Sequence, residues 1–216
     1  MLTLDLRIVL VSPLHIGAGS DPSNAAGAQR FARDARGRPC LRASTLKGLH
    51  RASTEQIARA LGLPVCHSPI AAQMCQPCAG EPVCAVCRIF GSPWVPGRVF
   101  YRDLIAASAS DKPGVDRRVR AAQSRGRRVR LAVYEQSREV LLVGVTFSGT
   151  INHLLHDEGS LGLALAGLRA IPAIGAGSAA GYGLCHVEVH ALDASNRPVD
   201  ESALAAALER LRAGRP

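Results

Sequence analysis

The chain is poor in aromatic residues and nearly devoid of lysine. Phe, Trp and Tyr together make up 4% of 216 residues, so stacking of bases on aromatic side chains cannot be widespread. Lysine occurs only at positions 47 and 112, so arginine supplies nearly all of the 26 basic residues. Set against 17 acidic residues, these leave a net charge of +9 and a pI near 9.8. No apolar run reaches the length of a membrane span, and the first residues lack the basic start and cleavage site of a signal peptide. A cytoplasmic protein with no membrane partner is expected. There is no internal repeat, no HExxH, no Ser–His–Asp order and no paired-carboxylate pattern. Disulfides are not expected either: the seven cysteines are odd in number and clustered, which suits a reducing compartment.

What the chain does have is phosphate-seeking chemistry. Residues 175–183 hold four glycines, Gly175, Gly177, Gly181 and Gly183, with Ser178 among them. Such density lets backbone amides approach an anion. The glycines precede a strand, whereas dinucleotide and mononucleotide loops follow one and open a helix, so a polymeric phosphate is the better match. A tight turn without a ligand is the plain alternative. A second feature is basic: Arg117, Arg118, Arg120, Arg125, Arg127, Arg128 and Arg130 put seven arginines in fourteen residues. A guanidinium fork matches phosphate and stacks on bases, although a solvated charge run has the same composition. Alternation over 127–133 suggests a β-hairpin arm, with Asp116 pairing to a neighbouring arginine. Ser44 is expected to cap a helix over 44–63, whose free N–H groups and Lys47 attract an anion.

The cysteines carry the strongest local signal. Cys75-x2-Cys78 and Cys84-x2-Cys87 are two CxxC pairs, and four thiolates suit a structural tetrahedral zinc site. Cys66 and His67 are near enough to replace one ligand. An iron–sulfur cluster or free buried thiols are the alternatives.

The element order reads as α+β. Leu4, Leu6, Ile8 and Leu10 alternate in a first strand. A long polar loop over 12–38 follows, then the helix from 44, a cysteine-bearing insertion, an extended segment at 98–104 and the basic excursion. A strand over 140–152, a helix over 160–170, the glycine loop, a last strand to about 192 and a short helix over 201–212 complete the chain. After the 140–152 strand, His153, His156 and Asp157 are expected in a solvated turn, with a metal site as the alternative. The order suggests a ferredoxin-like, split β-α-β sheet with long insertions. The expected organisation is one domain over 1–193, with the cysteine insertion at 64–92, the basic arm at 111–135 and a C-terminal tail at 194–216.

Four segments in order resemble one family. They are Ser12-Pro13-Leu14-His15-Ile16-Gly17, Ser44-Thr45-Leu46-Lys47-Gly48 with Arg51, Cys84-Ala85-Val86-Cys87-Arg88-Ile89-Phe90-Gly91, and Ile174 to Gly183. Together they resemble the RAMP superfamily of CRISPR-associated proteins, nearest to the backbone subunit that coats the guide in type III complexes. Asp116-Arg117 and Tyr134-Glu135 fall where that family carries its thumb. The resemblance implies a ferredoxin-like or RRM-like palm, a zinc-bearing insertion and a β-hairpin thumb. It implies copies stacked as a helical filament along one CRISPR RNA, which pairs with target RNA or DNA. It also implies other effector subunits and a separate nuclease or helicase. The residues expected on RNA are then His15, Ser44, Lys47, Arg51, Arg117, Arg118, Arg125, Arg127, Arg128, Gly175, Gly177, Ser178, Gly181 and Gly183. The family's catalytic Asp falls at Ala28 or Gln29, so no nuclease activity is expected. An endonuclease using Asp21 or Asp34, and a capping or guide-processing protein with His15 as its histidine, are the alternatives.

Overall fold

A computed structural model of the chain describes residues 2–17, 28–76, 82–108, 114–123, 126 and 130–213. It is an α+β structure built on an antiparallel sheet. Strand β1 (Leu2–Leu10) is central because its alternation gives it one fully apolar face: Leu4, Leu6, Ile8 and Leu10 are all buried. The other main strands are β5 (Leu104–Ser108), β8 (Val145–His153) and β9 (Cys185–Leu192). Their order is β5-β8-β1-β9, with β3 (Cys40–Leu41) beyond β5 and β4 (Val99–Phe100) paired to β8. Ile8 stands between Phe147 and Val187, and Leu4 between Ile151 and Ala191. Apolar positions therefore line up across three strands.

Two helices join strands that are separated by one strand of the other unit. Helix α1 (Ala43–Ala60) lies in the connection from β1 to β5, and α3 (Glu158–Arg169) connects β8 to β9. This is a split β-α-β arrangement. The helices approach closely at Gly167, where a Cβ would come within 2.0 Å of Thr54 Oγ1. Helix α4 (Glu201–Arg212) packs on α3, burying Leu204 and Ala207. The short helix expected over 201–212 is thus packed on the rest of the structure.

Helix α1 differs from its expected start. Ser44 lies inside the helix and is exposed; Arg42 is the N-cap residue and makes no side-chain cap bond. The free Ala43 N–H instead donates to Asp103 Oδ1 at 2.7 Å. The expected single strand over 140–152 is broken. Strand β7 (Arg130–Leu141) ends at Leu141, Gly144 adopts φ +84°, and β8 begins at Val145. The β-prone composition is real, but a left-handed glycine turns the chain between two sheets.

That turn creates the arm. Strand β6 (Val115–Gln123) pairs antiparallel with β7 from Val115↔Leu141 outward. Short strand β2 (Ala28–Gln29) adds to β7 in parallel, opposite Ser137 and Arg138. The hairpin thus reaches Leu141 rather than ending near 135. Arg125, Arg127 and Arg128 lie outside the described residues.

Candidate nucleic-acid interface and metal centre

Two groups of functional side chains sit on this scaffold, one at the foot of the arm and one beside α1. At the foot of the arm, the segment after β1 is held by β7. Leu14 and Leu141 exchange both backbone hydrogen bonds, at 2.9 and 2.8 Å. The glycine loop lies against the same segment: Ala176 N donates to His15 O at 2.9 Å and Gly183 N to Pro13 O at 2.8 Å. Gly175 and Gly183 both have positive φ, and a Cβ on Gly175 would meet His15 O at 2.4 Å. These two glycines are required for close packing.

This changes the picture of an amide nest. The N–H groups of Ala176, Ala180, Gly181, Tyr182 and Gly183 donate to carbonyls inside the protein. Gly181 and Gly183 were expected to offer amides to phosphate, but they use them on Ser178 O and Pro13 O. Gly177 and Gly181 supply the left-handed turns that bracket a short helix over Ser178–Ala180.

His15 is 3% exposed, and its Nδ1 lies 2.6 Å from Glu139 O. That distance makes Nδ1 the protonated nitrogen, since a carbonyl only accepts. Glu139 fixes the other side of the foot as well. Its Oε2 accepts from Phe31 N at 2.9 Å and from Arg33 Nη2 at 3.3 Å. From the arm, Arg118 lies over the Tyr182 ring, while Arg117 Nε donates to Ser137 Oγ. Asp116 pairs with Arg118 at 3.7 Å. His15, Arg118, Arg138, Val140, Ala176 and Tyr182 together line one small pocket. Among the described residues that line it, two carry guanidinium groups and none a carboxylate.

Strand β2 runs beside this pocket, because Gln29 is opposite Arg138. The positions expected to carry a catalytic acid, Ala28 and Gln29, are therefore at the pocket's flank, and Gln29 is exposed. Asp34 is engaged elsewhere. Its Oδ1 accepts from Arg36 N and Arg38 N, and its Oδ2 from Arg38 Nε at 2.8 Å. Burial raises its pKa, but the bonds from Arg38 and Arg36 together outweigh it and hold the carboxyl below the ordinary range. Asp21 lies outside the described residues. Ser44 and Lys47 are exposed on the first turns of α1.

Arg51, expected on the RNA path, points to the second group. There the sulfurs of Cys66, Cys75, Cys84 and Cys87 all lie within 4.8 Å of one another. Cys66 Sγ is 3.3 Å from Cys87 Sγ and 3.9 Å from Cys84 Sγ. Four thiolates bound to one tetrahedral zinc stand about 3.8 Å apart, so the donor set and its spacing fit a single ion. Cys66 supplies the fourth sulfur of the described group; Cys78 lies outside the described residues, and His67 is not among the ligands of that group. Local structure explains the convergence. Cys84 is the N-cap of the short helix α2 (Ala85–Phe90), and its Sγ accepts from Cys87 N at 3.4 Å. Cys84 N donates in turn to Cys75 Sγ at 3.3 Å. As thiols, Cys75 and Cys87 are pushed up by burial. Burial also raises Cys84, but hydrogen bonds with Cys66 and Cys87 outweigh it and lower its pKa. Metal uptake must displace protons from this set.

Residues that sequence reasoning missed are Arg138 and Tyr182 at the pocket, Glu139 at the foot of the arm and Asp103 at the helix start. Tyr182 stood within the glycine motif, and Glu139 four residues beyond the glutamate assigned to the arm. Asp103 had no local signal. No helix among the described residues is long and apolar enough to cross a membrane. No curated protein matches the chain. The sequence model of the RAMP superfamily matches residues 7–186, which span β1 through the glycine loop and into β9, and the chain belongs to that superfamily.

Proposed function

We propose that this protein is a guide-binding backbone subunit of a class 1 CRISPR ribonucleoprotein, of type III kind or derived from it, without nuclease activity of its own. One observation carries the reading. The His15 segment, the glycine loop and the arm meet at one pocket whose lining, among the described residues, presents Arg118 and Arg138 and no carboxylate side chain. Arginines placed this way hold phosphates and stack on bases, whereas strand cleavage needs a group to hold a metal or activate the nucleophile.

In this reading the sheet is a ferredoxin-like palm and the β6–β7 hairpin is the thumb. Successive copies lie along one CRISPR RNA, each thumb displacing a base, and the guide pairs with target RNA or DNA. Lys47 and the thumb arginines track phosphate. The four cysteines hold a structural zinc, with no open position for a water nucleophile. Cleavage comes from a separate nuclease or helicase-associated subunit in the cytoplasm.

The test is target cleavage by the assembled complex with matched RNA and Mg²⁺ or Mn²⁺. No cuts at the spacing of the backbone copies are expected. Regular cuts abolished by Asp21→Ala or Asp34→Ala would establish the endonuclease reading instead. Cuts created by Gln29→Asp would show that the β2 position faces the scissile phosphate and that the missing acid explains the inert wild type.

A further inference from the structure

We infer that Arg51 is a positioning residue of the cysteine centre, supplying the positive charge that retains its cation, and does not contact RNA. The inference rests on the four sulfurs holding one divalent ion and is independent of the RNA reading.

The geometry leaves Arg51 little choice of partner. Its guanidinium donates from Nη2 to Cys87 Sγ at 3.5 Å, from Nη1 to Gly91 O at 2.8 Å and from Nε to Glu55 Oε1 at 3.0 Å. The side chain is 15% exposed and the Glu55 side chain 10%. Each of the three guanidinium nitrogens thus has a partner inside the protein, and little of the side chain is left open to a phosphate. Gly91 is itself packed tightly: a Cβ there would meet Gly97 N at 2.7 Å and Val95 O at 2.8 Å. The carbonyl that Arg51 grips is therefore on rigid backbone at the end of α2, the same short helix that carries Cys87.

Charge explains why a cation belongs here. Four thiolates around a divalent ion carry a formal charge of −2, and burying that charge without partners is costly. Backbone donors soften it at Cys75 and Cys84, through Cys84 N and Cys87 N. Arg51 supplies the full positive charge, at Cys87. Glu55 does not cancel it, because Glu55 also pairs with Arg59 at 3.5 Å. Residues 51, 55 and 59 then form an i, i+4, i+8 row with net charge +1 facing a centre of −2. Donors placed this way around metal ligands typically govern metal affinity by 10–100-fold.

The experiment uses zinc-loaded full-length protein, Arg51→Met and Arg51→Lys. Zinc loss to a chromophoric chelator is followed, as is the thiolate-to-metal charge-transfer band after Co²⁺ substitution. Arg51→Met should hold zinc about 10–100-fold more weakly and shift the Co²⁺ band; Arg51→Lys, keeping the charge but losing the fork, should fall between. At full zinc occupancy both should bind single-stranded RNA with the wild-type salt slope. Unchanged zinc retention and an unchanged Co²⁺ band would overturn the inference, as would a salt slope shallower by about 0.7, the signature of one lost phosphate contact on a single strand. If Arg51→Met does not fold, Arg51→Lys decides alone by the same readouts. A wild type that binds neither Zn²⁺ nor Co²⁺ would overturn it at its premise, whatever the RNA result.

Discussion

The Arg118 guanidinium carbon lies 5.7 Å from the centroid of the Tyr182 ring, and its Nη1 donates to the Tyr182 hydroxyl at 3.4 Å. This contact links β6 of the arm to the glycine loop across the pocket over His15. Under the proposed function, a tyrosine paired with an arginine at this junction would give a nucleotide a ring to stack on in a chain with few aromatics.

Substitution of that pair should therefore cost RNA affinity. Tyr182→Ala is expected to weaken binding to single-stranded RNA by about tenfold, within the range for one stacked base. Tyr182→Phe, which keeps the ring, should cost less than threefold on the same basis. Because the two side chains act together, Arg118→Ala with Tyr182→Ala should be little worse than the poorer single variant. Fluorescence anisotropy on all four proteins checks this, and additive losses would show that each group contacts RNA separately.

If the arginines of the arm and Lys47 hold phosphate as proposed, their effect should appear in the salt dependence. Lys47→Ala, and separately Arg125, Arg127 and Arg128 all changed to Ala, should weaken binding across sequences. Each lost phosphate contact should flatten the log–log salt slope by about 0.7. Equal affinity for duplex DNA would argue against a single-strand groove.

How much of this could be read from the sequence depends on how local each cause is. The alternation of Leu4, Leu6, Ile8 and Leu10 places the central strand, and the short terminal helix expected over 201–212 is present. The two CxxC pairs signalled a cysteine centre. Its membership needed the fold: Cys66 joins from nine residues before Cys75, across a segment with no periodic pattern. The Leu141–Val145 break was hidden because Gly144 sits among valines and leucines that all favour strand, and one left-handed residue overrides them. Arg51 fitted the RNA motif in one dimension, and only the packing of α1 against α2 turns it to Cys87.

Asp103 is the plainest case of a non-local cause. It caps α1 from 60 residues away, in place of Ser44. Asp103→Ala should cost about 1 kcal/mol of stability, the usual worth of an N-cap side chain, whereas Ser44→Ala should be near neutral. Urea denaturation of the two variants separates these outcomes. An equal loss from Ser44→Ala would restore Ser44 as the cap.

Acid should destabilise the palm through His50. This side chain is fully buried between α1 and α3, with Nε2 2.8 Å from Ala164 O and Nδ1 2.8 Å from the Tyr101 hydroxyl. Burial lowers its pKa from 6.5 to about 4, against the raising effect of the Ala164 carbonyl. The unfolded chain therefore binds a proton at a higher pH than the folded one. Stability is full above about pH 6.5 and falls as pH drops toward 4. His153, also lowered to about 4 by burial and by His156, acts in the same direction. Denaturation between pH 7.5 and 4.5 should show wild type losing more stability than His50→Gln. Parallel pH profiles would mean that His50 is not held neutral in the folded state.

The most direct test of the account is the mass of the complexes formed on single-stranded RNAs of increasing length. A guide-coating subunit predicts that bound copies rise in steps, one for each fixed increment of nucleotides, and that Arg118→Ala with Lys47→Ala shortens the series at moderate salt. One copy per RNA at every length, or no stable complex with single-stranded RNA at low salt, would contradict it.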